Sequence, residues 1–157
     1  MGDARVDRAA LESAVAELLV DYPVVVTTMV AWGDMDANGH VNNTVYFRYL
    51  EHARLQCFTE MGFMKVQAET GVGPILSWTD CRFRRALTYP DTVSIGTRIR
   101  DVQHDRFEME SVIVSHAMRH VAAQGQQRVV IYDYRQNQKA SLPESIRQGI
   151  GRFEKHP

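Results

Sequence analysis

Cysteine is scarce in this sequence. Cys57 and Cys81 are the only two, they form no CxxC pair, and they read as buried free thiols of a reducing compartment. Charge of one sign is also lacking: 18 Lys and Arg stand against 19 Asp and Glu, a formal net charge of −1. That balance argues against a general nucleic-acid or membrane-surface binder, while leaving room for a local basic patch that holds phosphate. No long apolar run opens the chain. Its first segment carries Asp3, Asp7, Glu12 and Glu17, and Leu18-Leu19-Val20 is far too short for a signal-peptide core or a membrane span. Met1-Gly2 lacks the Ser or Thr at position 6 that myristoylation wants, since Val6 stands there. The formal glycosylation sequon Asn42-Asn43-Thr44 then reads as coincidence, and a cytoplasmic location is expected. There is no internal repeat, low-complexity tract, HExxH or GxSxG.

What is present suits one globular domain: 157 residues, 45% of them hydrophobic. Ala9, Leu11, Val15, Leu18 and Leu19 fall near helical spacing, so residues 6 to 20 read as a short amphipathic helix that Asp21-Tyr22-Pro23 ends. The division expected is 1–22 as an N-terminal helical extension and 23–157 as the main domain. Val24 to Trp32 is rich in β-branched residues and reads as a strand. Thr44 to Met61 reads as a long helix with Asn43 or Thr44 as N-cap and Gly62 as C-terminal cap. Its apolar residues are too many for one stripe, which predicts burial on most faces. Four strands follow, at Ile75–Phe83, Thr92–Val102, Arg106–Ser115 and within Arg119–Tyr134, joined by short turns that imply antiparallel neighbours. A last short helix begins near Pro143. One long helix against an antiparallel sheet is an α+β layer architecture, with a sheet able to wrap the helix.

The densest polar segment is the turn between that first strand and the long helix, Asp34-Met35-Asp36-Ala37-Asn38-Gly39-His40-Val41-Asn42-Asn43. It opens like an EF-hand loop, but position 12 would be Val45 where a bidentate Glu is required, and the preceding segment is no helix. His40 and His52 lie twelve apart, a spacing that demands no metal site. Cys57 lies mid-helix among apolar residues, a poor place for a thiolate. What remains is a carboxylate acting on an acyl group. Gly39 lets the backbone turn tightly, and the helix start near Asn43 offers unpaired N–H groups and the positive end of a dipole. A thioester carbonyl aimed there is polarised, and Asp36 attacks it or activates a water. From residue types alone, the carboxylates of this turn serve equally well as hydrogen-bonding punctuation.

The pattern Asp34-x-Asp36-x-x-Gly39-His40-Val41-Asn42-Asn43-x-x-Tyr46, followed by Glu51-x-Ala53-Arg54, resembles the 4-hydroxybenzoyl-CoA thioesterase-like family of hot-dog-fold acyl-CoA thioesterases. Arg82-Phe83-Arg84-Arg85-Ala86-Leu87-x-x-x-Asp91, the placement of Phe107 and the ending Lys139-x-x-Leu142-Pro143-Glu144-x-Ile146-Arg147 are similar too, so the likeness covers roughly residues 24 to 150. It implies a hot-dog fold: one long central helix wrapped by an antiparallel sheet, here with an extra N-terminal helix. It implies Asp36 as the catalytic acid, nucleophile or general base, and the backbone N–H of Asn43 as the group that polarises the carbonyl. His40 joins them as an orienting or substrate-contacting residue. Val41, Asn42, Tyr46, Arg84, His104 and Arg106 are the implied substrate contacts. The sequence departs from the pattern at Ala86, where Pro is more usual, and at Pro90, where Gly is. The turn Gln103-His104-Asp105-Arg106 carries only two basic residues and an acid where some members hold nucleotide phosphates, which turns attention to Arg82, Arg84 and Arg85.

The resemblance implies an acyl-CoA thioesterase with no cofactor and no metal, no nucleic-acid or membrane partner, and a homodimer or homotetramer. The alternatives are a thioesterase for acyl carrier protein and a non-catalytic acyl-thioester-binding dimer. Glu51 and Arg54, three apart on the helix, are expected to pair, and Asp34 to be a structural partner. Trp32 and Trp78 are expected in the core, and the three arginines near residue 84 on a solvated strand edge.

Overall fold

The computed structural model describes residues 4–5 and 11–154. A two-residue strand β1 (Ala4–Arg5) leads to α1 (Ser13–Leu18), and then β2 (Val24–Met29). A 3-10 turn (Trp32–Asp34) precedes the long α2 (Asn43–Met61) and a shorter α3 (Phe63–Thr70). Next come β3 (Val72–Thr79), β4 (Arg82–Phe83), β5 (Thr92–Arg100), β6 (Arg106–Ser115), β7 (His120–Asp133) and β8 (Gln138–Lys139), and α4 (Glu144–Ile150) with a 3-10 turn (Gly151–Phe153) closes the described chain. The sheet runs β1-β2-β5-β6-β7-β3, with β4 and β8 also on β7, and the neighbouring strands are antiparallel. This is the hot-dog fold. No helix among the described residues is long and apolar enough to cross a membrane.

The long helix is set by its ends. Asn42, not Asn43 or Thr44, is the N-cap: its side chain accepts from the Thr44 N–H at 2.9 Å. Gly62 closes the helix with φ 86°, a left-handed cap that only glycine takes without cost. Tyr46, Tyr49, Leu50, Ala53, Cys57, Phe58 and Met61 face the sheet and are buried. They meet Val26, Ile95 and Ile113 at one end of the inner face and Ile99, Phe107, Met109 and Val129 at the other. The opposite side of α2 is less covered than its composition predicts, since Phe47 and Leu55 remain exposed within one chain.

The convex face of the sheet differs from a plain alternating pattern. Ser94 and Gly96, which alternate with the inward Val93 and Ile95, are buried too, and the segment of α1 lies across Gly96. Val15 and Leu19 of that segment pack on Val25, Val112 and Val114. A Cβ on Gly96 would stand 2.8 Å from the Leu19 and Tyr22 side chains, so the helix docks through that glycine. The expected N-terminal helix is therefore present but shorter, at Ser13–Leu18, while residues 6–10 of that expectation lie outside the described residues.

Three other expectations change, and one further helix is present. The strand read across Ile75–Phe83 is two, β3 and β4, separated at Asp80-Cys81. There Asp80 leaves the ladder to exchange hydrogen bonds with Gln126, its N–H to the Gln126 carbonyl and its Oδ1 to the Gln126 N–H. Helix α3 was not legible, because Gly62 caps one helix and starts the next. Trp32 is 77% exposed and Trp78 44%, so neither is core. Cys57 is buried but Cys81 is only partly so, and burial there pushes the thiol up to about 11.

Candidate active site

The turn before α2 is built on two aspartates with different tasks. Asp34 is bound into the scaffold. Its Oδ2 accepts from the Ala31 N–H at 3.0 Å and from the Tyr49 hydroxyl at 3.2 Å, and its carbonyl accepts from the Asn42 N–H at 2.8 Å. Burial, reinforced by the Asp34 carboxylate, raises the Tyr49 hydroxyl pKa, so the phenol stays a donor to that acid. Asp36 sits in a tight reversal closed by its own N–H donating to the His40 carbonyl at 2.7 Å. Its Oδ1 accepts from the N–H groups of Asn38 at 2.8 Å and His40 at 3.3 Å. Gly39, with φ 74°, supplies the left-handed residue this reversal needs. Oδ2 of Asp36 has no hydrogen-bond partner among the described residues, and the carboxylate is half-buried.

The helix start completes the arrangement. The Thr44 N–H is taken by the Asn42 side chain and the Val45 N–H by the Asn42 carbonyl at 3.0 Å. The Asn43 N–H is left without a partner among the described residues. It is the first amide of a 19-residue helix and carries that helix's positive dipole end.

Asp36, His40, Val41, Asn42, Asn43 and Tyr46 line one cleft of about 430 Å³ with Phe83, Arg84, Arg85 and Ala86. Its far wall is stapled to the turn and to the helix by one residue. Leu87, fully buried, accepts from the Val41 N–H at 2.8 Å and donates its own N–H to the Tyr46 hydroxyl oxygen at 3.0 Å. Burial raises the Tyr46 hydroxyl pKa, and the ring meets Phe83 edge-on with centroids 5.0 Å apart. Seven of the nine sequence-predicted site residues thus share one cleft. His104 and Arg106 do not line it. They lie on the β5–β6 hairpin, where the His104 ring bonds Ser141 Oγ at 2.9 Å and Arg106 lies 3.9 Å from Asp105. Phe83 and Ala86 as cleft residues and Leu87 as the staple were not read from the sequence, whereas Arg85, singled out there with Arg82 and Arg84, does line the cleft. The Arg82–Leu87 motif was visible, but nothing local says that it crosses to the helix start.

Glu51 and Arg54 do not form the expected local pair. The buried Arg54 guanidinium instead donates to the Gln127 side chain, which donates to Ser111 Oγ at 3.2 Å. Burial lowers the Arg54 pKa, and the charge of Glu51 opposes that shift. Among the described residues no three His, Cys, Asp or Glu side chains gather as a metal site.

Known proteins share this frame. Protein THEM6 of Xenopus laevis is 27% identical over 108 residues, 69% of this chain and 51% of that protein, and THEM6 of Danio rerio is 28% identical over an equal length. The chain spans about half the length of these curated relatives. Among solved structures, a thioesterase from Thermus thermophilus complexed with coenzyme A and Zn has a TM-score of 0.75 at 27% identity, covering 87% of this chain and 98% of that one. A gentisyl-coenzyme A thioesterase has a TM-score of 0.71 at 26% identity, covering 80% and 98%. Residues 30–150, from the end of β2 to the end of α4, match the family model of the thioesterase-like superfamily, and the chain belongs to that superfamily.

Proposed function

We propose that the chain hydrolyses the thioester of an acyl-coenzyme A to the free acid and coenzyme A. The observation that carries this reading is the pairing, in one cleft, of an uncommitted carboxylate oxygen on Asp36 with an uncommitted helix-first N–H on Asn43. The carbonyl oxygen of the thioester accepts from the Asn43 N–H, and the helix dipole stabilises the oxyanion that develops. Asp36 then acts in one of two ways. As nucleophile it forms a mixed anhydride and expels the thiolate, and water cleaves the anhydride. As general base it takes a proton from the attacking water. Oδ1 is held by two backbone N–H groups, which leaves Oδ2 for either task. His40, Val41, Asn42 and Tyr46 shape the cleft around the carbonyl, and Arg84 stands at its wall.

Asp36→Asn is expected to lower turnover of a matched acyl-CoA by roughly 10²–10⁴-fold while the melting temperature holds. Steady-state hydrolysis that survives the change removes Asp36 from the mechanism. Single turnover in ¹⁸O-water with rapid-quench mass spectrometry separates the two roles: an acyl adduct on Asp36, or label in its carboxylate, marks the nucleophile, and a general base shows neither.

The β5–β6 hairpin favours a second reading, hydrolysis of acyl groups on a carrier protein. His104 and Arg106 already have intramolecular neighbours there, so that turn offers little to a nucleotide. Matched acyl groups on coenzyme A and on carrier protein distinguish the two. In either case the working form is proposed to be a homodimer or homotetramer.

A further inference from the structure

Most guanidinium groups on the convex face of the sheet are matched to acids. Arg98 and Arg100 reach Glu110 at 2.7 and 3.2 Å, Arg128 reaches Glu108 at 2.6 Å, and Arg119 reaches Glu12 at 2.9 Å. The segment that begins with β4 is different. Arg82, Arg84 and Arg85 are all exposed, and none meets a carboxylate within 4.0 Å among the described residues. Arg84 donates through Nε and Nη2 to a neutral group, Gln124 Oε1, at 3.3 and 3.1 Å. Three like charges in four residues are held together with no counter-charge of their own, a local field that a bound polyanion would relieve.

Placement gives the strip a direction. Arg84 and Arg85 line the cleft that holds Asp36 and Asn43. Arg82 lines a neighbouring polar cavity of about 150 Å³ with Gln124, Gln126, Arg98, Glu110 and Asp80. The two acids of that cavity are already engaged, Glu110 by two arginines and Asp80 by the Gln126 N–H. Arg82 and Arg84, two residues apart in extended chain, are spaced by roughly 7 Å, so one polyphosphate can touch both. Guanidinium forks suit phosphate oxygens.

We propose that Arg82, Arg84 and Arg85 form the docking strip for the nucleotide phosphates of coenzyme A, in place of the β5–β6 hairpin. The proposal rests on the thioesterase reading for its ligand. It places the thioester at the helix start and the phosphates along the segment that leaves the same cleft.

Titration calorimetry of the full chain with coenzyme A and with adenosine 3′,5′-bisphosphate tests it without turnover. The triple variant Arg82→Gln/Arg84→Gln/Arg85→Gln is expected to bind both at least tenfold more weakly, with a shallower dependence of affinity on salt. The ratio of kcat/KM for an acyl-CoA over the same acyl group on pantetheine is expected to fall at least tenfold in the same variant. Circular dichroism controls for folding, and Arg85→Gln alone serves if the triple variant is unfolded. Unchanged affinity for coenzyme A, or an unchanged ratio, overturns the proposal, as does a loss confined to binding of acyl carrier protein. If hydrolysis proceeds with the ratio unchanged, the strip fails and the thioesterase reading stands. If no thioester turns over yet coenzyme A binds through the three arginines, the strip stands and the thioesterase reading fails.

Discussion

Leu87 links the two halves of the cleft through its backbone alone, so the cleft depends on a phenol that never needs to touch substrate through its oxygen. Tyr46→Phe removes the acceptor for the Leu87 N–H in a fully buried place. The unpaired N–H is expected to cost about 1–3 kcal/mol, read from urea unfolding. Asn42→Ala takes the cap from the Thr44 N–H and is expected to cost about 0.5–2 kcal/mol by the same measurement. A third residue makes stability depend on pH. Burial holds the His116 imidazole below its ordinary 6.5, against the opposing charges of Asp91 and Glu12, while its Nε2 bonds Ser94 Oγ at 2.8 Å. The unfolded chain therefore binds the proton more readily. This contribution is complete above about pH 6.5 and is lost as pH falls through the lowered folded-state value. Melting temperatures from pH 8 to pH 5 should drop less steeply in His116→Gln. At this scale the sequence revealed what is local. Asp36, Gly39, Asn43 and Tyr46 are neighbours along the chain, so their convergence follows from a turn entering a helix. Leu87 and Phe83 come from some forty residues away, and only the ladder of β4 on β7 brings them to the helix start.

The elements were legible where one periodicity ruled. Residues of β5 to β7 alternate and pair through tight turns, and α2 carries a recognisable stop at Gly62, while its cap falls at Asn42, one residue before the expected Asn43 or Thr44. The reading failed where two surfaces act on one segment. Nothing local in β5 says that the segment of α1 covers Gly96. A glycine in a strand marks a close approach, and two such glycines hold helices to opposite faces of this sheet. Gly96 admits α1 on the convex side. Gly125 admits α2 on the concave side, where a Cβ would stand 2.6 Å from Leu50 Cδ1 and 3.1 Å from the Asp80 carbonyl oxygen. Gly125→Ala is expected to destabilise by about 1–3 kcal/mol through overpacking. Leu50→Ala alone should cost about 2–5 kcal/mol by leaving a cavity. Because each change relieves the other, the double variant should fall short of the sum by more than about 0.5 kcal/mol in a denaturation cycle. Strict additivity would mean that helix and strand do not meet through this glycine.

At the scale of the whole molecule, one sheet edge is left uncovered among the described residues. In β7 the inward residues Val129 and Ile131 are fully buried, whereas its neighbour β3 exposes Ile75 and Leu76 at 37% each and Trp78 at 44%. Adjacent strand residues point to opposite faces, so Ile75 and Leu76 together expose both faces of the edge strand. Long apolar edges invite pairing with another chain, and a second copy can satisfy this one by a two-fold, antiparallel β3–β3 contact. Sedimentation velocity at micromolar concentration is expected to give at least a dimer, and Leu76→Lys with Trp78→Glu to give a monomer. A wild-type monomer would refute the pairing. The second uncovered surface is separate: Phe47 and Leu55 lie on the outer side of α2 rather than on the sheet edge. If the particle is a tetramer built on both surfaces, Leu55→Glu should reduce it to a dimer and leave the β3 contact in place, because the two changes act on different elements. If it is a dimer, Leu55→Glu should leave its mass unchanged. The two variants together therefore assign each exposed surface to a contact or to solvent.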